Sequence, residues 1–198
     1  MQNYYFEDTL EAGIDECSQG ALIGPVFVGC VILPPFDDDP LWDQIRDSKK
    51  LSNKKRFIVE EYIKEIAIDY KITQGSVEDI DKYNILETKL RAMHTALDNI
   101  TKPEHILVDG DRFRPYMDET GPYTHTLIIQ GDSKYKSIAA ASILAKCEQV
   151  RYMEALAEKY PDYGFEKNHG YGTKQHIEAI RQFGYLPEHR KSFKIKTL

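Results

Sequence analysis

Four acidic residues follow apolar stretches that look like buried strands, and this placement is the first sign of chemistry in the chain. Asp15 and Glu16 are adjacent in GIDECSQG, Asp109 follows the run HILV, and Asp132 ends THTLIIQGD. In α/β sheets, ligand sites gather beyond the carboxyl ends of strands. Carboxylates brought together there repel one another unless a cation neutralises them. If no lysine pairs with them, the pattern predicts a site in which the four acids bind a metal ion.

The type of ligand indicates which metal such a site would hold. Oxygen ligands without cysteine or histidine favour Mg²⁺ or Mn²⁺ over Zn²⁺. Each acid taken alone could instead be a turn or cap residue, and Asp132 could cap the helix that follows it. The pattern alone therefore leaves three functions open: a metal-dependent phosphate chemistry, a magnesium-dependent phosphatase-like enzyme and a small-molecule binder.

The hydrophobic pattern outlines the elements that must position these acids. A strand ends at the acid pair, and further strands are expected at 26–33, 69–73, 105–110 and 124–132. Helices are expected from a cap at Ser52 to about Ala67, from about Asn84 to Asn99, over 137–160, and from a cap at Thr173 to Gly184. Strands that come first and then alternate with helices are typical of an α/β fold with a mixed β-sheet flanked by helices.

Composition restricts the class of protein. The length of 198 residues suits a single domain, and 41% hydrophobic with 29% charged residues is typical of a globular chain. The chain has neither an apolar run long enough to span a membrane nor a secretory signal at its N-terminus. Its three cysteines form no C-x-x-C pair. We therefore expect a cytoplasmic protein with free thiols and no membrane partner.

Two basic clusters contrast with the formal net charge of −6. Either cluster alone could be a solvated face, but two of them in an acidic protein favour a polyanion partner. The first contains Lys49, Lys50, Lys54, Lys55 and Arg56, and the second contains Arg190, Lys191, Lys194 and Lys196.

Seven sequence blocks in order resemble type 2 ribonuclease H (ribonuclease HII), almost end to end from about Ala12 to Phe193. The resemblance implies a ribonuclease H-like fold in one domain over 1–198. Its catalytic core would span about 12–160, and a helical C-terminal segment at about 161–198 would lie beside the substrate groove. The blocks are GIDE (13–16), DSKKLS (47–52), YNIL with RAM, VDG (108–110), GDSKYKSIAAASILAK (131–146), YGFEKNHGYGTKQH (163–176) and HRKSF (189–193).

The same resemblance implies an endonuclease that cuts the RNA strand of RNA–DNA hybrids and incises beside ribonucleotides in duplex DNA. It would leave 5′-phosphate and 3′-hydroxyl ends. Nothing in the sequence demands a partner subunit, so we expect a monomer. Two Mg²⁺ or Mn²⁺ ions would be bound by Asp15, Glu16, Asp109 and Asp132, with no single residue as an obligatory general base. A hybrid-binding protein with weakened cleavage and an exonuclease of the same fold stay open as alternatives.

Further candidate residues would contact the nucleic acid. Tyr171, in HGYGT, resembles the family's tyrosine that stacks at the RNA–DNA junction and checks the 2′-hydroxyl. Cys17 adjoins the acid pair, and we interpret it as a small buried filler rather than a reactive thiol. Phosphate contacts are expected from Lys49, Lys50, Lys134, Lys174, Arg190 and Ser192.

The loop after the acid pair departs from the family. The family has Gly-Arg-Gly where this chain has Ser18-Gln19-Gly20. The family's arginine reaches a phosphate, and Gln19 lacks its charge and bidentate geometry. Ser18 adds a side chain, which matters if the position needs a positive φ. We therefore expect weaker incision at single ribonucleotides than on long hybrids. A second departure, Val150 in place of an acid, predicts a local change in packing or ion pairing.

Overall fold

The structure is a computed structural model that describes residues 1–195. Lys196 of the second basic cluster and the last residues of the expected C-terminal segment lie outside that range. The α/β class, with a mixed sheet flanked by helices, is confirmed. In chain order the elements are β1 (Glu11–Cys17), β2 (Val26–Ile32), α1 (Asn53–Ile66), β3 (Asp69–Gly75), α2 (Val77–Tyr83), α3 (Ile85–Asp98), β4 (His105–Asp109), β5 (Met117–Asp118), β6 (Gly121–Pro122), β7 (Thr124–Ile128), α4 (Lys136–Lys159), α5 (Phe165–Asn168) and α6 (Lys174–Phe183).

Side-chain caps define the starts of the expected helices. The Ser52 hydroxyl accepts a hydrogen bond from the Lys55 N–H, and Thr173 caps α6 in the same way. Gly184, with φ of 88°, ends α6 as expected. The short helices α2 and α5 and the β5–β6 hairpin were not predicted. No helix within residues 1–195 is both long and apolar enough to cross a membrane.

The sheet order brings distant acids to one edge. The five-stranded sheet runs β3-β2-β1-β4-β7, with β1 parallel to β4 and β4 parallel to β7. Ile14 pairs with Val108, so Asp15 and Asp109 are the next residues on neighbouring strands. Strand β7 ends at Ile128, earlier than predicted, and Asp132 lies in the 3-10 turn Gly131–Ser133. Parallel strands thus point their carboxyl ends, and these acids, to the same side.

Helices cover both faces of the sheet. On one face, α3 packs against apolar side chains that include Ile14, Val28 and Ile106. On the other face, α4 and α1 pack together over Val31. Glycines allow α4 to approach the strands very closely. A Cβ atom at Gly13 would lie 2.2 Å from the backbone carbon of Ser137.

The matching contact on β2 is at Gly29, and it explains the run of small residues in α4. A Cβ atom there would lie 2.2 Å from the carbonyl oxygen of Ala141. Larger side chains at this seam would separate the helix from the sheet, because protein interiors are close-packed. The sequence AAAS at 139–142 meets this requirement.

We expect Gly29→Ala to lower the free energy of unfolding by about 3 kcal/mol or more, because the added methyl group meets helix backbone rather than a flexible side chain. Urea unfolding followed by circular dichroism measures the change. Gly20→Ala is the matched control, since a Cβ atom there has its nearest neighbour 3.9 Å away. Equal effects of the two substitutions would contradict a tight seam between α4 and β2.

Candidate active site

All four acids line one cleft at the carboxyl ends of β1 and β4, with a volume of about 320 Å³. The structure therefore brings together residues that are separated by more than 100 positions in the sequence. Five of the other predicted site residues line the same cleft, together with side chains that were not predicted. The predicted ones are Ser18, Gln19, Gly20, Lys49 and Tyr171, and the others include Ser48, Gln130, Ser142 and Lys146.

Asp15 and Glu16 contact helices on opposite faces of the sheet, because successive side chains of a strand alternate. Asp15 is only 5% exposed, its Oδ1 accepts a hydrogen bond of 2.7 Å from the N–H of Glu16, and the Ser142 hydroxyl on α4 acts on its pKa. Glu16 meets α3, where Lys89 Nζ lies 3.0 Å from Glu16 Oε1. The other carboxylate oxygen, Glu16 Oε2, is buried without a hydrogen-bond partner in the described structure. Asp15 is thus held in place, while Glu16 keeps one carboxylate oxygen without a partner.

Backbone geometry after β4 and β7 holds the other two acids. Asp109 Oδ1 accepts a hydrogen bond of 2.6 Å from the N–H of Gly131. Gln130 has a left-handed φ of 56°, which turns the chain so that Asp132 lines the cleft. Asp132 Oδ2 lies 3.5 Å from Lys49 Nζ. The turn at 130–133 therefore fixes Asp109 and presents Asp132.

The fold disfavours the ionised forms of three of these acids. Burial raises the pKa of Asp15 well above its usual range, and the charges of Glu16 and Asp109 add to this effect. Burial also raises the pKa of Glu16, although Lys89 opposes the shift. The pKa of Asp109 is raised mainly by burial. A cation bound among these carboxylates would relieve both the burial cost and the repulsion.

The donor atoms fit a hard divalent ion, although the ligand set is not fully gathered. Every candidate donor is a carboxylate oxygen, which is the chemistry that Mg²⁺ and Mn²⁺ prefer. The free Glu16 Oε2 is a buried donor without a partner. Within residues 1–195, however, no three acidic, histidine or cysteine side chains are close enough together to hold a metal ion. The acids would have to draw closer around an ion.

The assumption that no lysine pairs with these acids is wrong. Lys89 bonds to Glu16, and Lys49 pairs with Asp132. Lys146 also lines the cleft, and burial lowers the pKa of its ammonium group. Lys89 is 73 residues from Glu16 and interrupts the apolar face of α3, so sequence spacing does not reveal the pair. The signal in the sequence that could have indicated this pair is a lysine within the apolar stripe of α3.

Several predicted phosphate contacts do not line the cleft of the four acids. Lys50 is exposed, and its Nζ lies 4.0 Å from Asp47 Oδ2. Lys134 donates to the carbonyl of Ile129. Lys174 begins α6 and lines a different groove, beside Gln175 and Glu178. Their roles in binding stay predictions.

The C-terminal block HRKSF is tied to the rest of the molecule by its polar side chains. Ser192 donates its hydroxyl to Asp81 on α2, at 2.7 Å. The prediction that Arg190 contacts phosphate is wrong in this structure, because the residue is only 1% exposed. Its guanidinium donates to the backbone carbonyls of Gln19, Gly24 and Pro25, at 2.8 to 3.1 Å. Arg190 therefore holds the loop after β1 in place.

That loop keeps a conformation that glycine would favour. Ser18 is buried and has a φ of 70°, in the left-handed region. A residue with a Cβ atom pays about 1 to 2 kcal/mol for this conformation. The position does need a positive φ, and the serine adopts it. The difference from the family at this position thus adds a side chain to the loop without removing the left-handed turn.

Two interpretations of neighbouring residues are supported. Cys17 is half-buried at the cleft, its Sγ donates to the carbonyl of Ala145, and burial raises the pKa of its thiol, which favours a filler over a nucleophile. Val150 is buried, as a packing change requires. The nearby acid Glu148 contacts Arg151 at 3.3 Å.

Tyr171 lies at the mouth of the cleft and is held through its backbone. The residue is 38% exposed, and Lys146 Nζ lies 5.9 Å from the centre of its ring. Its carbonyl oxygen is 3.0 Å from Nδ1 of the buried His176. Nε2 of His176 lies 3.1 Å from Nε2 of the buried His189. The ring is therefore presented by a loop whose backbone is bonded to a buried histidine pair.

The backbone groups of Leu186 and Tyr171, which lie at the two ends of this series of hydrogen bonds, determine which ring nitrogens of the histidine pair carry protons. The N–H of Leu186 can only donate, so Nδ1 of His189 accepts and its Nε2 carries the proton. His189 then donates to Nε2 of His176, whose Nδ1–H donates to the Tyr171 carbonyl. Both rings are neutral in this arrangement. Burial lowers the pKa of both rings, and that of His189 falls to about 4 with a further contribution from His176.

We expect acid to destabilise this segment. Between the usual histidine pKa of 6.5 and the folded value of about 4, the unfolded chain binds more protons than the folded chain. Stability therefore falls as the pH falls, by roughly 2 kcal/mol between pH 7 and pH 5 for His189 alone. Urea unfolding at the two pH values should show a smaller difference in His189→Gln than in the wild type. The comparison isolates the contribution of His189, because the substitution leaves the acids of the cleft in place. An unchanged pH dependence would contradict the neutral pair.

Comparisons with known proteins identify relatives of this chain. A family model described as Ribonuclease HII matches residues 12–196. A ribonuclease HII of Parabacteroides distasonis is 48% identical over 185 residues, covering 93% of this chain and 89% of the relative.

Two solved structures also have this fold over nearly their whole length. One is the ribonuclease H2 from Pyrococcus horikoshii OT3, with a TM-score of 0.78 at 26% identity, covering 93% of both chains. The other is the RNase HII of a PCNA:RNase HII complex from Archaeoglobus fulgidus, with a TM-score of 0.77 at 30% identity, covering 94% of this chain and 96% of that one.

Proposed function

Because this chain belongs to the ribonuclease HII family of endonucleases, we propose that its cleft cuts RNA strands with the help of Mg²⁺ or Mn²⁺. The substrates are RNA–DNA hybrids and duplex DNA that contains ribonucleotides, and the products are 5′-phosphate and 3′-hydroxyl ends. The observation that supports this most directly is the meeting of four carboxylates, one with a free buried oxygen, at the edge of the sheet. The protein works as a monomer in the cytoplasm.

The chain's own part in the reaction is to hold oxygen ligands in a fixed arrangement. Asp15 is oriented by Ser142 and by the N–H of Glu16, and Asp109 by the N–H of Gly131. Two divalent ions, when bound, would lower the pKa of the attacking water, contact the phosphate and neutralise the leaving 3′-oxygen. We assign the four acids as ligands and no single residue as an obligatory general base.

Selection of a ribonucleotide is assigned to Tyr171 and the loop 18–20. Gly20 faces the ring, since a Cβ atom there would lie 3.9 Å from Tyr171 Cε1. Backbone groups and a stacked ring in this position suit recognition of a sugar 2′-hydroxyl. Lys49, at the edge of the same cleft and with an 81% exposed side chain, is a phosphate contact.

We expect Asp109→Asn and Asp132→Asn each to lower the cleavage rate at least about 100-fold, because each removes a charged ligand. The assay uses duplex DNA with one embedded ribonucleotide in Mg²⁺ and in Mn²⁺, followed on a gel. Asp162→Asn, an exposed acid outside the cleft, is the matched control. Urea midpoints near the wild-type value show that folding is intact. Near wild-type cleavage by both cleft variants would overturn the ligand assignment.

Gln19→Arg should restore a charged phosphate contact in the loop. We expect it to raise the rate of cleavage at a single ribonucleotide roughly tenfold relative to the rate on a long hybrid. A factor of this size corresponds to the free energy of one charge-assisted hydrogen bond. The ratio of the two rates is compared in the wild type, Gln19→Arg and Gln19→Ala. A ratio that is the same in all three proteins would reject a role for Gln19 in substrate choice.

The ion pairs in the cleft favour one second candidate, a hybrid-binding protein with weakened cleavage. Lys89 and Lys49 already neutralise Glu16 and Asp132, so ions would have to compete with them. End-blocked labelled hybrid, incubated with Mg²⁺ or Mn²⁺, distinguishes the candidates. Internal cuts support the endonuclease and exclude an exonuclease, whereas binding without cuts supports the second candidate.

A further inference from the structure

A second cleft, of about 370 Å³, adjoins Glu16 and Asp109 on the side of α3. Gln19 lines both clefts. The other residues of the second cleft come from α3 and from the loop after β4. Lys89 and Arg112 among them are basic, and Asp111 is a third acid beside Glu16 and Asp109. Glu16 and Asp109 therefore lie between two depressions, and the second contains cations that the sequence motifs do not indicate.

Lys89 is an unusual residue for the inner face of a helix. Its side chain is 9% exposed and follows Leu86 on the face of α3 that packs towards the sheet. Burying an ammonium group is costly unless it is paired. Lys89 pairs with the carboxylate of Glu16, so an apolar residue here would leave that acid buried without a counter-ion. Lys89 is therefore the structural partner of Glu16, and a further role would use the N–H groups that this pair leaves over.

The hydrogen bonds of Lys89 direct its charge towards the loop that departs from the family pattern. Nζ lies 3.0 Å from Glu16 Oε1 and 3.5 Å from Gln19 Oε1. Since an ammonium group has three N–H donors, one remains available beyond these two contacts in the described structure. The ammonium therefore lies beside the end of the Gln19 side chain, within the second cleft.

We propose that Lys89 supplies the positive charge that the loop lacks at Gln19 and contacts a backbone phosphate of the substrate in the second cleft. This inference rests on the proposed nuclease function. Once Glu16 has another counter-ion, Lys89 can direct its N–H groups to a phosphate oxygen without leaving its place on α3. A lysine contacts phosphate as a point charge, with less geometric selectivity than an arginine.

The salt dependence of binding tests this role. Hybrid affinity is measured at several KCl concentrations, with Ca²⁺ as the only divalent ion and the substrate confirmed intact afterwards on a gel. Loss of one phosphate contact reduces the slope of log K against log salt by about 0.7 to 0.9. We expect this reduction in Lys89→Met, which keeps much of the length and packing of the side chain. Lys89→Gln, which can still bond to Glu16, should give the same reduction.

Rescue and control variants separate the loss of a contact from structural damage. Lys89→Met combined with Gln19→Arg should recover the wild-type slope, because the arginine replaces the missing contact. Arg91→Met removes one positive charge from the same helix, at an exposed position paired with Glu87, and should leave the slope unchanged. A structural role of Lys89 would change the urea midpoint but not the slope.

The outcomes separate this inference from the proposed function. A wild-type slope in Lys89→Met or Lys89→Gln would overturn the inference, and so would a reduced slope that Gln19→Arg does not restore. If the wild-type protein neither binds nor cuts hybrid, the proposed function itself fails. Wild-type cleavage together with an unchanged slope in the Lys89 variants leaves the nuclease assignment intact and rejects the phosphate contact.

Discussion

The contact between α4 and the backbone of β1 and β2 determines the geometry of the rest of the molecule. It depends on Gly13 and Gly29, where a side chain would collide with helix backbone. At this separation Ser142 can reach Asp15, and the Ala145 carbonyl accepts from Cys17. The same contact buries Asp15, and that burial is the main reason why its pKa is raised. Close packing of a helix on a sheet is therefore also the origin of the electrostatics of the cleft.

The cleft combines groups that are unfavourable for stability with groups that offset them. Buried carboxylates close together cost free energy, as functional sites often do. In this chain the offsetting charges come from separate elements, Lys89 on α3 and Lys49 before α1. Such pairs let the protein fold with its acids gathered, and they leave Glu16 Oε2 available to an ion. The same pairing means that ion binding must compete with internal cations.

The C-terminal segment contributes buried polar groups that hold the loops around the cleft. Arg190 bonds to three carbonyls of the loop after β1, and the histidine pair bonds to the carbonyl of Tyr171. Buried polar groups of this kind are costly unless every member is satisfied, so they specify one arrangement of loop and segment. The segment therefore connects the position of Tyr171 to that of the loop 18–20.

The sequence by itself determined most of the elements, because hydrophobic periodicity and helix caps are local properties. The strand ending at the acid pair, the caps at Ser52 and Thr173 and the four acids could all be recognised in this way. The short helix α2 and the β5–β6 hairpin could not be predicted, because they have too few residues to show a hydrophobic period. Only the tertiary structure decided that Lys89 pairs with Glu16 and that Arg190 is buried. The physical reason is that a charge acts through its spatial neighbours, which are set by the packing of segments distant in sequence.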